Sequence, residues 1–308
     1  MTTQDATPLV SVIIRCFNEE KHIGNLLRAL QQQTYKNHEV IVVDSGSNDS
    51  TVQIAQSFAV RIVRISPNDF TFGFSLNQGC AAAQGAIFVI ASAHVLPVHE
   101  RWLEELVKPF VDPKVAIVYG RQIGNSITKF SEHQVFAQQF PETSNFQQQT
   151  PFCNNANAAI RGEIWKKRKY DETLSGLEDL DMGVWAINNG YYIAYNADAA
   201  VIHIHEETPR KIFNRYKREA IAIKKILPDS HLPLWEFLWL WISNMLLDLL
   251  RSVKHRTFFK SFTEIIMFRT MQYWGMYSGI HNRSPLTHEM IIRFYYPRKP
   301  NALVRKKK

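Results

Sequence analysis

The sequence predicts an α/β protein: a mixed, mostly parallel sheet with flanking helices, followed by a C-terminal helical region. Three observations carry that reading. Residues Ala86 to Ala91 form an unbroken apolar run, the pattern of a strand buried on both faces of a parallel sheet. Through the first 65 residues, short β-branched runs alternate with stretches of helical spacing, the rhythm of βαβ units with right-handed crossovers. The charge is also divided along the chain. Residues 1–200 carry 16 Lys+Arg against 20 Asp+Glu, and residues 201–308 carry 20 against 8. The two parts are therefore −4 and +12, which together make the net charge of +8. We expect one domain over residues 1–207 and a basic amphipathic helical region over 208–308.

The elements follow in order. Leu9 to Ile14 is a buried first strand that runs into Arg15-Cys-Phe-Asn-Glu-Glu20. Ile23, Leu26, Leu27 and Leu30 recur at helical spacing. Val40 to Val43 is a second strand, closed by the polar turn Asp44-Ser-Gly-Ser-Asn-Asp-Ser-Thr51. A helix through Val52, Ala55 and Phe58 leads to a third strand, Val60 to Ile65. The apolar run at Ala86 stops at Ser92-Ala93-His94, and Pro97 closes it by denying a further ladder hydrogen bond. Open α/β sheets bind ligands beyond the carboxyl ends of their strands, so this hydroxyl and imidazole point at the usual crevice. A helix on Trp102, Leu103, Leu106, Val107 and Phe110 precedes a strand at Val115 to Tyr119. Residues 123–151, rich in Gln, Asn and Ser, read as a mobile loop or irregular helix. A helix begins near Glu178-Asp179. Tyr191 to Tyr195 and Ala200 to Ile204 are two strands, the second setting His203 and His205 on one face.

Several ordered motifs resemble glycosyltransferase family 2. They are Val10-Ser-Val-Ile-Ile-Arg-Cys-Phe-Asn-Glu-Glu20, Gln33-Thr-Tyr35 and Ile41-Val-Val-Asp-Ser-Gly-Ser-Asn-Asp-Ser-Thr51. Pro67-Asn-Asp-Phe-Thr-Phe-Gly73, Asn77 and Val118-Tyr-Gly-Arg-Gln122 resemble its rhamnosyltransferase-like branch. The resemblance covers roughly residues 9–205. It implies a GT-A, Rossmann-like domain that binds a nucleotide sugar and transfers the sugar with inversion. It also implies nucleotide contacts at Asn18, Glu19, Asp44, Ser45, Asn77 and Ser92. Acceptor-side contacts are implied at Arg121, Gln122, Asn155 and Asn157, and Asp179 becomes the base, with Glu178 beside it. The residue types suit those roles: a carboxylate at a strand end accepts from a base or ribose, and an acid at a helix start can take a proton. Helix capping is the plain alternative for Asn18-Glu19-Glu20, and dipole stabilisation the one for Glu178-Asp179.

The chain departs from the family at one point. Where the fourth strand usually ends in Asp-x-Asp it has Ser92-Ala93-His94, so a hard Mg²⁺ site is weakened. His94, His203 and His205 are the metal ligands expected instead, for a divalent cation with Mn²⁺ favoured over Mg²⁺. The other arrangement uses no metal and neutralises the diphosphate with cationic side chains.

Leu234 to Val253 is amphipathic. Glu236, Ser243, Asn244, Asp248, Arg251 and Ser252 share one half, and the other half is almost wholly apolar. Packing on the catalytic domain is one reading. The other, favoured by three Trp residues, the basic excess and the Arg305-Lys-Lys-Lys308 tail, is an anionic membrane surface. No run of about 20 apolar residues is long enough to span a bilayer. The first residues lack a signal-peptide pattern, and Cys16, Cys80 and Cys153 form no disulfide or metal spacing. Together these predict a cytoplasmic protein held at the inner face of a membrane; the resemblance implies that it is an enzyme acting on a glycan or lipid-linked glycan precursor. No nucleic-acid-binding motif is present. The rival readings are a catalytically silent membrane- or glycan-binding protein and a nucleotidyltransferase on a related fold.

Overall fold

The computed structural model describes residues 7–283. Nine strands form one mixed sheet in the order β3-β2-β1-β4-β8-β6-β9-β5, with β7 on β9. The first half is parallel. β1 (Val10–Cys16) lies between β2 (His38–Asp44) and β4 (Ile87–Ser92), and β3 (Arg61–Arg64) extends it beyond β2. In register, Cys16 is opposite Asp44 and Arg15 opposite Ser92. The carboxyl ends of three strands therefore form one row. β8 (Asn157–Arg161) runs antiparallel beside β4, so its first residue joins the same edge, opposite Ala91.

Alternation along the strands fills both faces. Val12 and Ile14 pack on one side with Leu26, Leu27 and Leu30 of α1 (Ile23–Gln31) and with Leu103 of α4 (Trp102–Val107). Ile13 packs on the other, with Leu76 of α3 (Phe72–Ala82) and Trp165 of α6 (Gly162–Lys167). A short helix, α2 (Thr51–Gln56), follows β2. Each β-branched side chain of the first strand is thereby removed from water.

Three local expectations give way. Pro97 does not close an isolated strand end, because β5 (Val95–Pro97) pairs antiparallel with β9 (Tyr192–His203). Positions 191–204 form this one long strand, whose register against β6 (Val115–Ile123) shifts after Gly120. The polar segment 123–151 is ordered as α5 (Phe130–Gln139) and the edge strand β7 (Asn145–Gln148). Phe136 and Phe140 explain it: both are buried in a cluster with Tyr119 and partly buried Phe152.

The chain folds into two compact units. The first holds residues 1–127, 136–172 and 178–205; the second holds 128–135, 173–177 and 206–308. Within the second, α8 (Pro209–Ile226), α9 (Leu234–Lys254) and α10 (Phe258–Ile280) pack together. Gly275 and Gly279 let α10 approach the α8 backbone: a Cβ at Gly275 would lie 2.5 Å from the Phe213 carbonyl oxygen. Arg215 of α8 is fixed by Glu132 at 3.0 Å and Glu207 at 2.7 Å. The Arg305–Lys308 tail lies outside the described residues.

Candidate active site

The row of strand ends carries the chemistry. Asp44, buried, accepts from the N–H groups of Gly46 (3.1 Å) and Ser47 (3.2 Å), which curls the loop after β2 back on itself. Gly46 has φ +88°, and a Cβ there would sit 2.6 Å from Pro67 Cγ, so glycine is required. Asn18 is held at φ 55°, with its N–H on Ser47 Oγ and its Oδ1 accepting from Asn48 N–H, both at 2.9 Å. A non-glycine residue in this region of backbone space is a feature of functional loops. Asn18 and Asp44 thus brace one loop from its two ends.

Three imidazoles gather beside it. One ring nitrogen from each of His94, His203 and His205 lies within 4.8 Å of the others. The His94 and His203 rings stack at 5.2 Å between centroids, nearly parallel at 16°. Main-chain pairing brings them together, since Val95 is opposite His203 and the Ile204 N–H donates to the His94 carbonyl at 3.1 Å. Each of the two rings is oriented by an outer partner. Glu19 Oε1 lies 2.8 Å from His94 Nδ1, and Gln122 Oε1 lies 2.6 Å from His203 Nδ1. A proton on each Nδ1 leaves the lone pair on Nε2, the arrangement that carboxylate or amide partners give to metal-binding histidines. Ser92 Oγ lies 3.1 Å from His94 Nε2.

On the other side of the row stands a buried acidic pair, Glu178 and Asp179, in the first turn of α7 (Glu178–Asn188). Asp179 accepts from the N–H groups of Asn155 (2.9 Å) and Leu180 (2.8 Å). Burial, and next the charge of Glu178, push its carboxyl up to about 7, against the pull of those two N–H groups and of Arg15. Leu177, just before the helix, has φ 58°, a strained backbone for a branched residue. Glu178 Oε1 meets Arg15 Nη1 and Asn155 Nδ2, each at 3.4 Å.

Arg15 is a site residue that the sequence reading passes over. It is the next-to-last residue of β1, its guanidinium lies 4.5 Å from the Phe72 ring centroid, and its buried Nε has no hydrogen-bond partner among the described residues. The legible signal was a lone cation closing an apolar strand.

Several of the expected site residues are engaged within the fold. Asn77 is buried, its amide donating to the Tyr170 carbonyl and Glu172 and accepting from Trp165 Nε1 and Tyr170 N–H. Asn157 likewise clasps the fold, accepting from Trp102 Nε1 and donating to the Arg121 and Ala199 carbonyls. Ser45 is buried, with its hydroxyl on the Cys16 carbonyl. Arg121 pairs with exposed Glu142 at 2.7 Å. Gln122 is buried behind His203, also bonded to Asn154. A cleft of about 690 Å³, lined by Pro8, Ile87, Lys108, Phe110, Arg161 and Lys166, lies apart from this row. Arg161 there is fixed by three backbone carbonyls.

The comparisons agree with this geometry. Residues 11–168 match the model of Glycosyl transferase family 2. The O-antigen chain rhamnosyltransferase WbaN of Salmonella anatum is 32% identical over 221 residues, covering 68% of this chain and 70% of that protein. The O-antigen chain rhamnosyltransferase RfbN of Salmonella typhimurium is 30% identical over 221 residues, covering 67% and 70%. Among solved structures, the mannosyltransferase PcManGT of Pyrobaculum calidifontis, in complex with GDP-Man and Mn²⁺, superposes with a TM-score of 0.61 at 18% identity, over 96% of this chain and 89% of that one. S. aureus TarS 1-349 in complex with UDP-GlcNAc gives 0.55 at 18% identity, over 86% and 90%. This chain belongs to glycosyltransferase family 2 and is a glycosyltransferase.

Proposed function

We propose that the enzyme moves a sugar, with inversion, from a nucleotide-sugar donor to a hydroxyl of a glycan or lipid-linked glycan precursor at the inner face of a membrane. The observation that carries this reading is Asp179. It is buried in the first turn of α7, with a carboxyl raised to about 7, so near neutral pH it can accept a proton from an attacking hydroxyl. Attack by that oxygen on the anomeric carbon forms the new glycosidic bond as the bond to the diphosphate breaks. The hydroxyl proton passes to Asp179. Arg15 and Asn155 hold the neighbouring Glu178 and keep the acidic pair in place. The names of the Salmonella relatives support a deoxyhexosyl donor and a polysaccharide acceptor, and the GDP-Man and UDP-GlcNAc complexes support a nucleotide sugar.

Charge on the departing diphosphate must be neutralised. Three imidazoles, two of them with Nδ1 oriented by Glu19 and Gln122, fit a borderline cation such as Mn²⁺ better than Mg²⁺, which demands oxygen ligands. His94, His203 and His205 would hold it, and the cation would supply Lewis-acid stabilisation of the leaving group. Arg15 supports the metal-free alternative, because it stands opposite Ser92 in the same row.

The test is a thermal-shift panel of nucleoside diphosphates and nucleotide sugars with uracil, guanine and thymine bases, with Mn²⁺ and with EDTA. One base class should stabilise the protein by about 2.7 kcal/mol at 100 times its dissociation constant. Stabilisation by none of them would overturn the donor assignment and favour a silent binding protein. If the shift is unchanged by EDTA, the metal falls and Arg15 takes its place.

A further inference from the structure

Helix α9 is built inside out. The side that the sequence marks as polar faces inward: Asp248 and Ser252 are fully buried, and Asp248 pairs with Arg269 of α10 at 2.7 Å. Phe237 and Trp241 share that inner side; both meet Trp274 edge to face, and Phe237 also packs at a tilt on Tyr277. The opposite side meets solvent with Trp235, Leu238, Trp239, Ile242, Leu246 and Leu250, residues spaced to make one continuous stripe. Trp235 is 71% exposed, so the stripe is not covered by the rest of the chain that is described. A helix folded for water alone would turn this face to the core and Asp248 outward.

The charge at the C-terminal end of the stripe is one-sided. Across the turn from α9 into α10, residues 249–263 contain Arg251, Lys254, Arg256 and Lys260 and no Asp or Glu. All four cations are exposed, and Phe259 projects between them at 95% exposure. No described helix is long and apolar enough to cross a membrane. An apolar stripe bearing Trp, continuous with a cationic and aromatic turn, has the chemistry of a bilayer interface. Its rings and aliphatic side chains reach below the headgroups, while Lys and Arg extend to lipid phosphates.

We propose that the outward stripe of α9 and the α9–α10 turn seat this chain on an anionic lipid bilayer, with α9 lying in the interface plane. The acid-free turn favours lipid over a second copy, because two copies paired side by side would bring like charges together. This seat stands independently of the sugar-transfer reading.

The full chain is mixed with vesicles of phosphatidylcholine, with or without about 30% phosphatidylglycerol to give a strong negative surface potential, and separated by flotation. The protein should float with anionic vesicles and be released by high salt. Lys254→Glu with Arg256→Glu should weaken binding roughly 25-fold or more, and Trp235→Glu with Trp239→Glu should abolish it. Circular dichroism checks that these surface variants fold. Quenching of wild-type tryptophan fluorescence by brominated phosphatidylglycerol tests the seat without any variant. Failure to float with either vesicle, equal flotation with both, or unchanged flotation of the tryptophan variant would each overturn the proposal. So would a wild-type dimer, seen by light scattering, that the tryptophan variant splits and that ignores vesicles; the face would then belong to a second copy.

Discussion

Asp179 carries opposite consequences for catalysis and stability. Its folded carboxyl titrates near 7, above its ordinary value of 3.8, so the native state holds the proton more tightly than the unfolded chain. Stability therefore falls as pH rises from about 4 to about 7, and the loss is complete above 7. Asp179→Asn cannot ionise and escapes that loss. The variant's melting temperature relative to wild type should be higher at pH 8 than at pH 5, as calorimetric scans would register; the same difference at both pH values would contradict the buried, raised carboxyl. Behind His203, Gln122→Leu removes the partner that fixes the ring. It should weaken Mn²⁺-dependent nucleotide affinity by about 10–100-fold in titration calorimetry, leaving affinity in EDTA unchanged. Residue roles were unevenly legible. The two-residue period set His203 and His205 on one face, and the family resemblance pointed to the acidic pair that the fold buries at the start of α7. The surroundings of Asn77 and Asn157 were not legible, because an amide that reads a ligand and an amide that clasps a core look alike in sequence. Their partners, Trp165 and Tyr170 for one and Trp102 for the other, are fixed only by tertiary folding.

Among the elements, the parallel strands were the most legible, since burial on both faces writes an unbroken apolar run. α5 was not legible. Its weak polar periodicity resembles a loop, and it is held by Phe136 and Phe140 rather than by helix propensity. For α9 the amphipathic pattern was legible but not its orientation, because a helical wheel shows two faces and not which one meets solvent; the apolar face is the outward one. Two predictions belong at this scale. Gly279→Val would drive a side chain into the Lys217 carbonyl and the Ala220 Cβ, parting α8 from α10. It should cost about 1–3 kcal/mol in denaturant unfolding, and a value near zero would show that the helices are not closely packed. Within the α9–α10 pair, Arg269→Met alone leaves Asp248 buried and unpaired by its nearest cation, for about 3–5 kcal/mol. Asp248→Leu with Arg269→Met should restore most of that. A double variant no more stable than the single would show that the ion pair is not an isolated buried contact.

At the scale of the molecule, the sheet brings distant parts of the chain to one edge. Arg15 and Glu178, 163 positions apart, meet there, and Glu19 reaches His94 across 75. Strand register makes this possible: the ends of β1, β2 and β4 are level, and β8 begins where they stop. The sequence announced those strand ends and grouped His94 with His203 and His205, but not the outer partners Glu19 and Gln122, which only the folded sheet supplies. The proposed sugar transfer turns on Asp179 as the group that accepts the acceptor's proton. Its most direct measurement is the release of nucleoside diphosphate from the nucleotide sugar that stabilises the protein, followed against pH for wild type and Asp179→Asn. Wild-type turnover should rise with pH through a midpoint near 7, where the carboxyl ionises. The variant should keep donor affinity, lose that limb, and turn over about 10²–10⁴-fold more slowly. Turnover near the wild-type rate, with the same pH profile, would contradict Asp179 as the base.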